Sequence, residues 1–287
     1  MELWFIYALL SALFAWFFSF SSKLSVEKNH NPNIVTFYSS IIAFGLVVVL
    51  VLFFPQEAYW NILLWFVAGF FNGCLYAITI LTRIKSLKYI DTSIYFPVYK
   101  SIWPVLVVII WIFIFSEVLS MKEIIWVILW IIVPILLIWR NRKSKKTRKW
   151  IYYLVIWLLF SIVTVFIAKL VVNYSIWSNY YIMFSFLFTA LFTIYLNNRK
   201  KVNNKSISYS ISKIKRVWII TWIMNFLSFY FFMKAIELWN NLWVIYTINS
   251  LYIIVPIILS ILYYKEHFDF KKFLAILLTI VSLFFLK

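Results

Sequence analysis

Runs of about 20 apolar residues, separated by short breaks that carry charges, prolines or asparagines, recur along the whole chain. A helix needs about 20 predominantly apolar residues to cross the ~30 Å hydrocarbon core of a bilayer. The pattern therefore predicts an all-α membrane protein of ten transmembrane helices. They run near Leu3–Ser22, Ile34–Phe54, Asn61–Thr82, Thr92–Phe115, Ile124–Trp139, Trp150–Val171, Asn179–Leu196, Val217–Ala235, Leu242–Tyr264 and Phe273–Phe285. The last run is short and would sit tilted or in a locally thinned bilayer. The first run lacks a basic leader and a small-x-small cleavage site and is too long for a signal peptide, so it reads as span one. No stretch remains that could fold as a separate soluble domain.

Composition sharpens this. The chain is 65% hydrophobic and 13% charged, against about 25% charged in soluble domains. Its formal charge of +18 is not that of a nucleic-acid binder, because the basic residues lie between the apolar runs and not on a water-facing patch. Of the 27 Lys and Arg, 22 fall in odd-numbered loops: Lys23 and Lys28; Arg83, Lys85 and Lys88; Arg140 to Lys149; Arg199 to Arg216; and Lys265, Lys271 and Lys272. Basic loops stay cytoplasmic, so both termini are expected outside a multi-pass cell-membrane protein. The lone Cys74 allows no intrachain disulfide.

The two halves resemble each other. "WFIYALLSALFAWFFSFSSKL" lies over "WIYYLVIWLLFSIVTVFIAKL" without a gap, pairing Trp4 with Trp150, Tyr7 with Tyr153, Phe14 with Phe160 and Lys23 with Lys169. "SEVLSMKEIIWVILW" lies over "KEHFDFKKFLAILLT", pairing Glu117 with Glu266 and Lys122 with Lys271. The same register pairs Lys85 with Lys234, Lys100 with Asn249 and Ser101 with Ser250. Five spans per half is an odd number, so the second copy enters the membrane upside down. Such inverted-topology repeats are typical of secondary transporters. The expected units are residues 1–139 and 150–287, joined by a basic linker at 140–149.

"RIKSLKYIDTS", the helix with Pro104 closed by Glu117, and "KAIELWNN" followed by "NSLYIIVPIILSILYYKEHF" resemble the EamA-type drug/metabolite transporters over essentially the whole chain. The resemblance implies a ten-helix carrier of small metabolites such as amino acids, related compounds or drugs, working without ATP. It also implies a central cavity lined by spans three, four, eight and nine with parts of one and six. The chain departs from the family pattern in three respects. It has only 3 Gly, Pro256 stands three residues beyond the family's helix-nine proline position at Ile253, and the family's termini are commonly cytoplasmic.

Lys100 is the leading candidate for chemistry. Asp91 marks the cytoplasmic edge of span four, and nine residues at ~1.5 Å each put Lys100 about 13 Å deep. A charge there costs at least ~2.5–3.5 kcal/mol, so it should face the bundle interior. Pro97 and Pro104 free the carbonyls of Ser93 and Lys100 from helical hydrogen bonding, and these need partners at membrane depth. Lys100 thus meets substrate or a coupling proton, or it joins helices by bonding a carbonyl or a tyrosine. Tyr95, Tyr99 and Trp103 lie within a turn of it, and Tyr246, Asn249 and Ser250 recur at like spacing in span nine. Asn72 and Asn225 are polar groups at depth, each a ligand contact or a helix–helix hydrogen bond. Glu117 and Glu266 read as interfacial carboxylates or gates, Lys23 and Lys169 as interfacial anchors or gates. "GFFNG", Gly69 to Gly73, reads as a close helix contact.

No phosphate-binding loop, dinucleotide fingerprint, HExxH, paired-Cys zinc spacing or G-x-S-x-G elbow occurs. Neither cofactor nor metal is expected, and the chain is not expected to be an enzyme. The expected partners are a small-molecule substrate and the bilayer, with proton coupling open. A lipid flippase or scramblase is the alternative, and a membrane enzyme a more distant one.

Overall fold

The computed structural model describes residues 2–53, 62–90, 145–174, 179–201 and 215–238. It adds the helical stretches 94–96, 98–99, 102–103 and 105–107 and scattered positions within 121–132 and 245–281; residues 145–148, 200–201 and 215–221 are described as backbone only. Among the described residues there is no strand. Six long helices carry the architecture: α1 (Leu3–Glu27), α2 (Pro32–Phe53), α3 (Ile62–Ser86), α4 (Lys145–Tyr174), α5 (Asn179–Lys201) and α6 (Lys215–Leu238). They correspond to predicted spans one, two, three, six, seven and eight. Five are long and apolar enough to cross a membrane: α1, α2, α3, α4 from Lys149 and α5 up to Arg199.

Every one of these helices extends beyond its apolar run. α1 continues to Glu27 and α3 to Ser86, so Lys23, Arg83 and Lys85, expected in loops, are helical. The linker expected over 140–149 is helical from Lys145. The reason is physical: hydropathy marks where lipid contact ends, whereas a helix ends where its backbone bonding stops. The stop after α1 is chemically explicit. Asn29 takes a left-handed conformation (φ 52), which asparagine tolerates. The His30 amide then donates to the Ser25 carbonyl at 3.0 Å, closing the helix end. Asn31 caps the next helix by accepting from the Asn33 amide at 2.9 Å, and Pro32 occupies the first helical position, where its missing N–H costs nothing.

Helix packing sets the cavity walls. α1 lies along α6, α3 along both α4 and α5, and α2 along α5 and α6. α3 approaches α5 closely. A Cβ added at Gly69 would stand 2.5 Å from the Phe184 Cβ, and one at Gly73 would stand 2.6 Å from the Ser185 carbonyl oxygen. The GxxxG is thus a packing element, as its spacing predicts. Trp65 stacks on Tyr180 across the same seam, ring centroids 5.1 Å apart. Hydroxyls within the helices turn back onto carbonyls four residues earlier, Ser19 onto Ala15 at 2.6 Å and Ser22 onto Phe18 at 2.8 Å. That satisfies them without water. Leu52, Leu63, Phe71, Leu159 and Leu191 point outward and are exposed, the surface expected of helices that face lipid chains rather than water.

Candidate functional site

Between the two sets of helices lies a cavity of about 180 Å³. On α3 its wall is a single stripe, Asn72, Tyr76, Thr79, Ile80 and Arg83, spaced three and four residues apart as one helix face demands. At ~1.5 Å per residue this stripe is about 16 Å long. Opposite it, α6 contributes Asn225, Ser228, Phe229 and Phe232. α1 and α4 supply Ser11, Ala15 and Phe18, and Trp157, Ser161 and Thr164; Tyr99 and Trp103 close one side.

Arg83 is the charged group on this wall. Its guanidinium donates to the Ser19 hydroxyl, whose own proton is committed to the Ala15 carbonyl, so the serine oxygen is oriented as an acceptor. The rings of Phe18, Phe96 and Tyr99 surround it, with centroids 5.2, 5.7 and 5.8 Å from the guanidinium carbon. Aromatic faces favour a cation there. The Arg83 Nε is buried and donates to no acceptor among the described residues.

Asn225 lies deeper and is 1% exposed. Its Oδ1 accepts from the Tyr76 hydroxyl at 2.7 Å, while its Nδ2 is buried with no acceptor among the described residues. The Ser161 hydroxyl on α4 is also buried and unpaired. Buried polar groups are normally hydrogen-bonded, and unsatisfied ones cost ~1–3 kcal/mol each. Three such groups belong to residues that line this one cavity.

The expected site residues divide as follows. Tyr99, Trp103, Asn72 and Asn225 line the cavity. Asn72 also donates to the Ser185 hydroxyl of α5 at 2.9 Å, so it joins helices while lining the site. Tyr95 is fully buried outside the lining, its ring against Phe96 and Tyr99 at 5.5 and 5.4 Å. Lys23 is 7% exposed, pairs with Glu27 at 2.9 Å and reaches the Leu87 carbonyl at 3.4 Å. Its mate Lys169 is likewise buried. Lys100, Tyr246, Asn249, Ser250, Glu117 and Glu266 lie outside the described residues. Arg83, Tyr76, Trp157 and Ser161 are cavity residues that the sequence reading did not single out.

No family model matches the chain, and no curated protein matches it. Among solved structures, one protein crystal structure superposes with a TM-score of 0.63 at 12% identity, covering 99% of this chain and 96% of the other. Likeness at that identity shows a shared fold and nothing of activity.

Proposed function

We propose that the chain is a secondary carrier of small metabolites, resembling the EamA-type transporters, in which two inverted five-helix units alternate access to the central cavity. The observation that carries this reading is the identity of the cavity residues. The register that pairs Trp4 with Trp150 also pairs Ser11 with Trp157, Ala15 with Ser161 and Phe18 with Thr164, and all six line the cavity. The register that pairs Lys85 with Lys234 pairs Tyr76 with Asn225, Thr79 with Ser228, Ile80 with Phe229 and Arg83 with Phe232, again all lining. Tyr76 and Asn225 bond to each other. A residue that touches its own repeat mate sits beside the pseudo-twofold axis, so that axis would run through the cavity.

Helix contacts support the same symmetry. Exchanging α1 with α4, α2 with α5 and α3 with α6 turns the α1–α6 contact into α3–α4 and the α3–α5 contact into α2–α6, both of which exist. Two rocking halves around a midplane site are the mechanics of such carriers. With basic loops cytoplasmic, Arg83 stands toward the cytoplasmic end of the cavity and the termini lie outside.

The test is counterflow of a labelled metabolite panel in proteoliposomes, with wild type and Lys100→Met. Wild type is expected to exchange at least one small metabolite, and Lys100→Met to insert normally and lose that exchange. Wild-type flux in the variant overturns the role given to Lys100. Lipid scrambling without solute flux overturns the carrier reading in favour of a flippase.

A further inference from the structure

Two of the cavity's three unpaired groups are N–H donors and the third, the Ser161 hydroxyl, can donate as well, and this bears on what the cavity holds. Arg83 brings a fixed positive charge, and among the described residues no carboxylate pairs with it. Its Nε and the Asn225 Nδ2 are both buried donors without acceptors among the described residues. A guanidinium presents its N–H groups as a fork that matches a carboxylate, often through two parallel bonds. The ring faces of Phe18, Phe96 and Tyr99 stabilise the charge without the paired acceptor oxygens that a carboxylate brings. Around the rest of the space stand the rings of Trp103, Trp157 and Phe229, an apolar surface that suits a flat or branched hydrocarbon body.

We propose that the cavity binds a small organic carboxylate, its anionic end on Arg83 and Asn225 and its apolar body among Tyr99, Trp103, Trp157 and Phe229. Size agrees. A volume of about 180 Å³ corresponds to on the order of ten water-sized groups, at roughly 10–15 Å³ for each. Charge count agrees as well. Arg83 is the one charged side chain among the described lining residues, so the described wall matches an anionic head. A cationic ligand would face Arg83 directly. The internal register agrees: the mate of Arg83 is Phe232, so among the described lining residues this pseudo-symmetric pair is charged on one side and apolar on the other. A guest with a charged head and an oily tail has matching asymmetry.

This rests on the carrier reading only for transport, and binding tests it alone. Purified full-length protein is titrated calorimetrically with 3-phenylpropionate, its neutral amide and 3-phenylpropylamine, which share one body and differ in head charge. The expected order is carboxylate over amide by at least ~10-fold, with the amine weakest. Arg83→Gln is expected to lose the carboxylate preference, acid and amide then binding alike, while Arg83→Lys keeps part of it. Absence of carboxylate binding to wild type, an amine bound as tightly as the acid, or an undiminished preference in Arg83→Gln overturns the proposal. If Arg83→Gln fails to fold, the wild-type ranking still decides. Flux separates the two readings. Carboxylate binding without transport overturns the carrier and leaves the anion site; transport of the amide or amine but not the acid overturns the site and leaves the carrier.

Discussion

Replacing Gly73 by alanine attacks the seam that holds the polar wall of α3 in place. The new Cβ would stand 2.6 Å from the Ser185 carbonyl oxygen, 2.7 Å from the Phe188 Cβ and 3.0 Å from the Thr189 amide nitrogen. Ordinary contacts need about 3.5–4 Å. None of these three atoms belongs to a flexible side-chain end, so α3 and α5 must part by roughly 1 Å. That movement stretches the bonds from the Thr189 hydroxyl to the Gly73 carbonyl (3.0 Å) and from Asn72 to Ser185 (2.9 Å). Overpacking costs ~1–3 kcal/mol, and each interhelical bond lost adds about 0.6 kcal/mol. The expected destabilisation is therefore about 2–4 kcal/mol. Gly45 provides the internal reference, since nothing lies within 4 Å of a Cβ added there. Alanine at that position should be neutral or stabilise by up to ~1 kcal/mol through helix propensity alone. Reversible unfolding in mixed micelles, titrated with dodecyl sulfate, reads both variants against wild type. A Gly73→Ala midpoint equal to that of Gly45→Ala would refute the close α3–α5 seam.

Three further outcomes are expected. Tyr76→Phe removes the donor that Asn225 accepts from and should cost ~1–2 kcal/mol; with Asn225→Leu the loss should be sub-additive by about 0.5–1.5 kcal/mol in the same unfolding assay, and strict additivity would deny the pair its bond. Ser161→Phe should fill the cavity from the α4 wall, abolishing ligand heat at a nearly unchanged unfolding midpoint; binding retained at wild-type strength would place the guest elsewhere. A reporter fused within residues 140–149 should give a cytoplasmic signal, and an extracellular one would reverse the orientation drawn from the basic loops.

How much of this was legible in the chain differs from residue to residue, for physical reasons. The helical membrane class follows from run length, because lipid demands it whatever the tertiary arrangement. Gly69 and Gly73 were legible because a four-residue spacing puts both on one face of any helix. Asn72 and Asn225 stood out because polar groups are rare inside apolar runs. Arg83 did not, because a cation just beyond an apolar run looks the same whether it meets water or turns back into the protein. Only packing tells these apart: here α3 continues to Ser86 and carries the side chain inward against Phe18 and Ser19. Tyr95 and Tyr99 show the complementary limit. One turn apart, they read alike, yet one is sealed in the core and the other lines the cavity. The one signal that reaches across this limit is the internal register. It sets Arg83 opposite Phe232, in the last turn of a predicted span, so under the proposed repeat the equivalent position in the first half would lie at like depth and not in a loop. A repeat thus carries depth information that hydropathy lacks, because each half reports where the other half's ambiguous residues must lie.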